Sequence, residues 1–323
     1  MPQPSVPSDA PSRTTSSDRV PWRTLAPGQL ARVRVWERAS GSVRTVHVSE
    51  GRLYEAPNWT ADGSLLLNGE GRLWRLPPDG SAIAPTLLEA PGLPPVNNDH
   101  VLAPDGSGVF ASAADHHIWH VPFDGSPIRR VTSEDGIMHF LHGISPDGSR
   151  LGYVRLEIGG QDPWGSAWIH TIAADGTDDR RLTIDPGPAD GCEWTPDGDW
   201  ILLNTEQFST RPGHAQLARI RPDGSDLEQL TSDERVNWFP HIAPTGDVVV
   251  YVSFPPGTRG HPADLRVQLR MVEVGDWQAP TTLMELEGGQ GTINVPSWAP
   301  DGSAFAYVDY PRAEDLTDAG TEH

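Results

Sequence analysis

A short motif that recurs six times along the chain constrains the fold more than any other feature. Each copy has an apolar or aromatic residue, then Pro-Asp-Gly or a close variant, then an alternating apolar segment. Glycine supplies the positive φ of a tight turn, so each copy predicts two antiparallel strands joined as a hairpin. The turns fall at 61–63, 104–106, 146–148, 196–198, 244–246 and 300–302. Their spacing of about 42 to 56 residues is typical of four-stranded propeller blades.

A second series of turns predicts the outer strands. Apolar segments at 73–76, 118–121, 168–172, 217–220 and 269–274 each precede a turn that contains Asp and Gly. The sixth such segment, 33–36, is at the N-terminus instead, so the last blade should combine strands from both ends of the chain and close the ring. The sequence therefore predicts an all-β, six-bladed β-propeller with four-stranded antiparallel blades over residues 29–312. Residues 1–28 and 313–323 are expected to be disordered tails.

Composition excludes several classes of partner. The 323 residues carry a formal net charge of −20, whereas nucleic acids and anionic membranes require a basic surface. The single cysteine, Cys192, cannot form an intrachain disulfide. The first 23 residues lack the apolar core of a secretory signal, and no apolar run approaches the ~18 residues of a membrane span. We therefore expect a cytoplasmic protein with no nucleic-acid or membrane partner.

Functional residues are expected where one repeat departs from the others, because residues that recur in every repeat form the scaffold. Trp59, Trp194 and Trp298 occupy equivalent positions, which indicates packing between blades, and the Asp of each turn is explained by turn chemistry. Five residues before the turn Asp, three repeats carry proline. His100 and His142 take that position in neighbouring repeats, on strands expected to line the central channel.

Polar residues near this position in several repeats should meet at one mouth of the channel. They are Glu55, Asn98, Asp99, His100, His142, Asp190, Glu193, His241 and Asn294, and two glycine-containing loops add His261 and Gln290. Imidazoles with carboxylates suit a divalent metal ion or acid–base chemistry. The alternative is a hydrated polar channel, in which these side chains satisfy backbone groups at the blade ends through waters.

The Trp-x-Pro-Asp-Gly hairpins resemble the repeats of TolB-like propellers, and the resemblance covers about residues 30–310. The segments 97–100, 142–143, 237–241 and 288–298 look most like a cytoplasmic subgroup that is usually labelled biopolymer-transport or TolB-like. That label reflects repeat homology and says little about activity. A more distant resemblance is to oligogalacturonate lyases, seven-bladed propellers that hold a divalent metal on histidines and a glutamine. The residues similar in type and position are His100, His142, His241, His261 and Gln290.

Two functions follow from these residues. The first is a metal-dependent lyase or related enzyme that acts on a sugar or sugar acid by proton abstraction and β-elimination. The metal (Mn, Ca, Zn or Ni) would bind His100, His142 and His241. The catalytic groups would be His142, Glu193 and His261. The ligand would contact Glu55, Asn98, Asp99, Asp190, Gln290 and Asn294.

The second function is a non-catalytic propeller that binds a protein or peptide. Such a binding face usually presents exposed aromatic or arginine anchors. The loops at this mouth carry mainly His, Asn, Asp and Gly, which favours a small carbohydrate-like ligand over a protein partner.

Overall fold

A computed structural model describes residues 22–157, 167–184 and 187–318. In chain order, the first strands are β1 (Ala31–Glu37) and β2 (Val43–Ser49). Blade 1 follows with β3 (Glu55–Trp59), β4 (Leu65–Gly69), β5 (Arg72–Leu76) and β6 (Thr86–Leu87). Blade 2 consists of β7 (Val96–Leu102), β8 (Gly108–Ala113), β9 (Ile118–Pro122) and β10 (Arg129–Arg130). Blade 3 consists of β11 (Ile137–Ile144), β12 (Arg150–Glu157), β13 (Trp168–Ala173) and β14 (Arg180–Arg181).

The remaining strands complete the ring. Blade 4 consists of β15 (Ala189–Trp194), β16 (Ile201–Thr205), β17 (Gln216–Ile220) and β18 (Glu228–Gln229). Blade 5 consists of β19 (Val236–Ile242), β20 (Val248–Phe254), β21 (Leu265–Glu273) and β22 (Thr281–Gly288). Strand β23 (Ala304–Asp309) and helix α1 (Ala313–Asp318) end the described chain. The first strand of each blade faces the channel, and these inner strands pack side by side from β3 to β19. The predicted six-bladed, all-β propeller is confirmed.

The sixth blade is built from both ends of the chain. Its sheet has the order β2-β1-β23, and β1 pairs with β23 in antiparallel register from Arg32 opposite Asp309 onwards. Arg32 Nε donates to the Asp309 carboxylate at 2.8 Å across this seam. The innermost segment of the blade is reduced to a single bridge between Trp298 and Phe305. The predicted closure is confirmed, with a shorter inner strand than in the other blades.

Scaffold residues behave as the repeats predict. Trp298 packs on Phe305 in one interblade core, with ring centroids 5.3 Å apart, and Trp194 is buried in another core. In the hairpins, the Asp105 carboxylate accepts the backbone N–H of Ser107 at 2.9 Å. The equivalent carboxylates of the other turns bond in the same way, so the turn aspartates stabilise loops and face no channel chemistry.

A β-bulge in five of the inner strands aims side chains into the channel mouth. The strand register shifts between Glu55 and Asn58 in β3, and at equivalent places in β7, β11, β15 and β19. At one shared position Ala56, Gly191 and Phe239 adopt positive φ. A bulge bends its strand and redirects the neighbouring side chains, and the residues around these bulges form the site described below.

The ends of the described chain lie against the propeller. Gln29 forms a bridge with Arg312, and residues 313–318 form α1 where the sequence predicts a tail. Residues 22–28 precede this bridge, and Arg23 reaches the channel mouth. The tails expected at 1–21 and 319–323 lie outside the described residues. No helix in the described part of the chain has the length and hydropathy needed to cross a membrane.

Candidate functional site

A cavity of about 310 Å³ opens at the channel mouth. Its lining includes eight of the predicted site residues, namely Glu55, Asn98, Asp99, His142, Asp190, His261, Gln290 and Asn294. The other lining residues are Trp22, Arg23, Asn68, Asn97, Phe140, Leu156 and Phe239. Three predicted residues, His100, Glu193 and His241, are buried elsewhere and do not line the cavity.

A buried ion pair between His142 on β11 and Asp190 on β15 forms part of the cavity wall. His142 Nε2 lies 2.8 Å from Asp190 Oδ1, and His142 Nδ1 donates to the backbone carbonyl of Asn294 at 3.3 Å. Both ring nitrogens thus face oxygen acceptors, which an imidazolium satisfies. Burial alone would lower the pKa of His142, but the Asp190 carboxylate outweighs it and raises that pKa to about 9. Burial likewise opposes ionisation of Asp190, yet His142 holds its pKa below the usual range.

A chain of amide hydrogen bonds fixes the protonation of His261. The N–H of Gly291 donates to Asn294 Oδ1 at 2.7 Å, and Asn294 Nδ2 donates to Gln290 Oε1 at 3.1 Å. Gln290 Nε2 in turn donates to Asn98 Oδ1 at 3.1 Å. His261 Nδ1 also bonds Gln290 Oε1, and an amide oxygen only accepts, so Nδ1 carries the proton. In the neutral ring, Nε2 is therefore the nitrogen that can accept a proton.

His261 lies in an apolar part of the cavity wall. Its ring centroid is 4.6 Å from that of Trp238 and 5.0 Å from that of Phe239. Burial lowers the pKa of His261, although the Asp190 carboxylate, 3.7 Å from Nε2, opposes this shift. The result is a neutral imidazole at neutral pH, beside the charged His142. Two histidines on one carboxylate thus have opposite pKa shifts, an arrangement suited to acid–base chemistry.

Phe239 contacts both of these histidines and is itself in a strained conformation. Its φ is 54°, a region that bulky residues rarely adopt, and its side chain is fully buried. The ring stacks on that of His142 with centroids 5.5 Å apart, and the backbone N–H of Phe239 donates to Asn204 Oδ1 at 3.1 Å. Sequence analysis missed Phe239. The available signal was its equivalence to Gly191 in the preceding repeat, which marks a position that requires positive φ.

A second part of the cavity wall is acidic and consists of Glu55, Asn68 and Asp99. Burial raises the pKa of Glu55 to about 7, even though Arg23 opposes the shift. Burial also raises the pKa of Asp99 to about 6, with His142 opposing. Asn68 Oδ1 is buried and has no hydrogen-bond partner among the described residues. Sequence analysis missed Asn68, which belongs to the second strand of its blade.

Arg23 reaches this wall from the N-terminal segment. It donates to the backbone carbonyl of Gln290 at 2.9 Å, and its guanidinium lies 3.3 Å from Glu55 Oε1 and 2.6 Å from Asp264 Oδ1. The same guanidinium lies 4.3 Å from the ring centroid of Tyr310. Arg23 falls within the segment predicted as a tail, and no repeat pattern could have placed it here.

The predicted metal set does not assemble. Both ring nitrogens of His142 already face oxygen partners, as described above. The ring of His241 likewise bonds Glu193 Oε2 at 2.6 Å through Nδ1 and the carbonyl of Ile293 through Nε2. His100 Nδ1 bonds Asn58 Oδ1 at 2.6 Å, which leaves only Nε2 as a donor atom for a metal. In the described ranges no group of three His, Cys, Asp or Glu side chains is arranged to hold a metal ion. The three predicted histidines, as the strands position them, therefore do not fit a divalent cation.

Known proteins share the sequence and the fold of this chain to different extents. No family model matches the chain. An uncharacterized protein from Agrobacterium fabrum is 38% identical over 266 residues, which cover 80% of this chain and 85% of that protein. A solved TolB candidate from Agrobacterium tumefaciens is 35% identical, with a TM-score of 0.78 over 88% of this chain and 99% of its own.

More distant structures share the fold alone. TolB from Acinetobacter baumannii is 14% identical, with a TM-score of 0.52 over 88% of this chain and 64% of its own. An oligogalacturonate lyase solved in complex with manganese is 12% identical, with a TM-score of 0.52 over 80% of this chain and 74% of its own. The first two matches, at 38% and 35% identity, cover most of both chains. This chain therefore belongs to the TolB-like family of six-bladed β-propellers.

Proposed function

We propose that the channel mouth binds a small, hydroxyl-rich molecule such as a monosaccharide. The observation that carries this proposal is the ordered network of His261, Gln290, Asn294 and Asn98 in the cavity wall. Hydroxyl groups both donate and accept hydrogen bonds, so a fixed array of amides and imidazole can orient them. Phe140, which is half-buried, lines the same cavity, and its apolar ring suits the C–H face of a sugar ring.

The size of the cavity supports a single small ring. Ligand cavities in proteins range from ~300 to ~1,000 Å³. A volume of about 310 Å³ lies at the lower end of that range. We therefore propose a monosaccharide-sized ligand in place of an oligosaccharide.

The charges of the cavity oppose an anionic ligand. The cations that line it are the His142 imidazolium, which is paired with Asp190, and Arg23, which contacts Glu55 and Asp264. A sugar carboxylate would have to displace one of these buried partners, at a cost in desolvation. Of the sugar and sugar-acid ligands expected from the sequence, we propose the sugar.

A second candidate is acid–base catalysis on the same ligand, and the fixed protonation of His261 favours it. His261 Nε2 can accept a proton from a bound carbon or hydroxyl, and Asp99, whose burial raises its pKa to about 6, can return one. Incubation with monosaccharides in D₂O tests this. We expect deuterium incorporation at a carbon, seen by ¹H NMR, that is lost in His261→Gln. No incorporation into any sugar would refute catalysis by proton abstraction and leave binding intact.

Calorimetric titration of a panel of uncharged monosaccharides tests the binding proposal itself. Gln290→Leu should weaken binding at least tenfold, since it removes the shared acceptor of the network. Gln229→Leu, on an exposed outer strand, is the matched control and should bind as the wild type does. If no sugar binds at millimolar concentration, the proposal fails and the protein-binding alternative is favoured.

A further inference from the structure

We propose that the ligand also carries a cationic nitrogen, as an amino sugar does, and that this nitrogen lies against the wall formed by Glu55, Asn68 and Asp99. The inference rests on the proposed function and names the class of ligand that the site takes. This wall differs from the network around His261 in its hydrogen bonding and its charge.

The wall brings three oxygen-bearing side chains together from two blades. Glu55 on β3 is directly opposite Asn68 on β4 in the strand register, and Asp99 comes from the neighbouring inner strand β7. Glu55, Asn68 and Asp99 have 6%, 2% and 4% of their surface exposed, respectively, yet all three line the cavity. A group bound there would therefore meet them away from bulk solvent.

This wall offers acceptors in excess of donors. Asn68 Oδ1 is buried and unpartnered among the described residues, and Asn68 lines the cavity, so a donor on a bound ligand is a candidate partner for this oxygen. Asn97 Nδ2 donates to Asp99 Oδ2 at 2.6 Å, which satisfies one of the two carboxylate oxygens of Asp99. An ammonium group supplies three N–H donors and a positive charge, and thus matches this wall better than a hydroxyl group, which supplies one donor.

The cations near the wall have their shortest ion pairs elsewhere. Asp99 has no ion pair in the part of the chain that the structure describes, and the His142 imidazolium, which acts on Asp99 electrostatically, is bonded to Asp190. Arg23 lies 2.6 Å from Asp264 and 3.3 Å from Glu55, so Glu55 holds the longer of its two ion pairs. Burial raises the pKa of Glu55 to about 7 and that of Asp99 to about 6, and the cations Arg23 and His142 only partly oppose these shifts.

The protein itself shows how a cation is accommodated at the edge of this wall. The Arg23 guanidinium lies between the Glu55 carboxylate and the ring of Tyr310, 4.3 Å from the ring centroid. A carboxylate and an aromatic face together are a common way to hold a desolvated cation. Asp99 and Asn68 line the same cavity and provide further acceptor oxygens.

Matched pairs of sugars test the inference. Glucose, galactose and mannose would be compared with glucosamine, galactosamine and mannosamine by calorimetry at pH 7 and 150 mM salt. N-acetylglucosamine would serve as an uncharged control. We expect an amine to bind at least tenfold more tightly than its parent sugar. Asp99→Asn should remove that advantage, measured as the ratio of amine affinity to parent affinity within each protein. Asp226→Asn, at an exposed position with φ of 54° that asparagine tolerates, is the matched control.

Proton release provides a readout that needs no variant. Binding of an amine against partly protonated Glu55 and Asp99 should expel protons, so its heat at pH 6.5 should depend on the buffer's ionisation enthalpy. The parent sugars should show no such dependence. Amines that bind more tightly without proton release would place the cation elsewhere and overturn the inference.

The outcomes separate this inference from the proposed function. If neutral sugars bind and amines bind no better, the cationic ligand is refuted and the sugar site stands. If neither class binds, both proposals fail. If amines are favoured equally in wild type and Asp99→Asn, the preference arises from the overall charge of −20 and this wall is not its source.

Discussion

Nε2 of His142 lies 2.8 Å from Oδ1 of Asp190, so a buried ion pair joins the inner strands of blades 3 and 4. Each residue has at most 4% of its surface exposed. A buried charge left without its partner is strongly destabilising, whereas a pair replaced as a whole costs much less. The pair therefore couples the charge state of the cavity to the stability of the ring.

We predict that His142→Gln and Asp190→Asn each lower the free energy of unfolding by about 3 to 5 kcal/mol, because each leaves one buried ion unpaired. The double variant should be more stable than the sum of the two losses predicts. Urea unfolding of all four proteins gives the coupling energy. Arg266→Gln, which breaks an exposed pair with Glu285, is the control and should cost less than ~1 kcal/mol. Additive losses would contradict the ion pair.

The pH dependence of stability should be reduced in Asp99→Asn. Burial raises the pKa of Asp99 to about 6, so the folded state binds its proton more tightly than the unfolded state does. That contribution to stability is complete below the unfolded pKa near 4 and is lost as the pH rises through 6.

Scanning calorimetry at pH 4 and pH 7.5 tests this sign. Wild type should lose on the order of 2 kcal/mol more between the two pH values than Asp99→Asn does. Asp226→Asn, an exposed acid, should follow the wild type. An unchanged difference between the two pH values in Asp99→Asn would show that Asp99 ionises in the folded state without penalty.

The fold could be predicted from the sequence because its signals are local and repeated. Each turn specifies its own hairpin through a glycine with positive φ, such as Gly106 or Gly148, and in five of the six turns an Asp accepts the backbone N–H two residues later, as Asp105 and Asp147 do. The ring closure required only the observation that the sixth outer strand is at the N-terminus. Neither inference depends on which side chains meet across the channel.

The site could be predicted only in part, because it depends on how far along the channel each side chain lies and on segments outside the repeats. A bulge places Asp190 at the mouth, whereas Glu193, three residues later, lies deeper beside His241. Sequence spacing alone does not reveal where a strand register shifts. The predicted metal set therefore combined His142, which lines the cavity, with His100 and His241, which do not. Arg23 was missed because it lies outside the repeats. Phe239 was missed because its residue type does not distinguish it from other apolar residues of a strand.

The strain at Phe239 predicts an inverted order of stability for two substitutions. Phe239→Ala should lose ~3 to 5 kcal/mol of packing. Phe239→Gly loses the same ring but relieves a φ of 54°, so it should be about 1 kcal/mol more stable than the alanine variant.

Phe254 provides the control for this comparison. It is equally buried, and its φ is not in the positive region. There glycine should be less stable than alanine by ~0.5 to 1 kcal/mol, the usual order in a strand. Denaturant unfolding of the four variants measures both differences. The same order at Phe239 and Phe254 would mean that the strain at Phe239 stores no free energy.

The hydrogen bond between Gln290 and His261 predicts that a substitution at Gln290 shifts the pKa of His261, which a purely structural role of Gln290 would not produce. In Gln290→Glu, a carboxylate replaces the amide oxygen that accepts from His261 Nδ1, so the charged ring is favoured and the pKa of His261 should rise by at least ~1 unit. Long-range ¹H–¹⁵N NMR of the imidazole nitrogens measures the pKa and identifies the protonated nitrogen. Gln229→Glu, on an outer strand, should leave it unchanged. A proton found on Nε2 in the neutral wild-type ring would contradict the assignment of His261 as the proton acceptor.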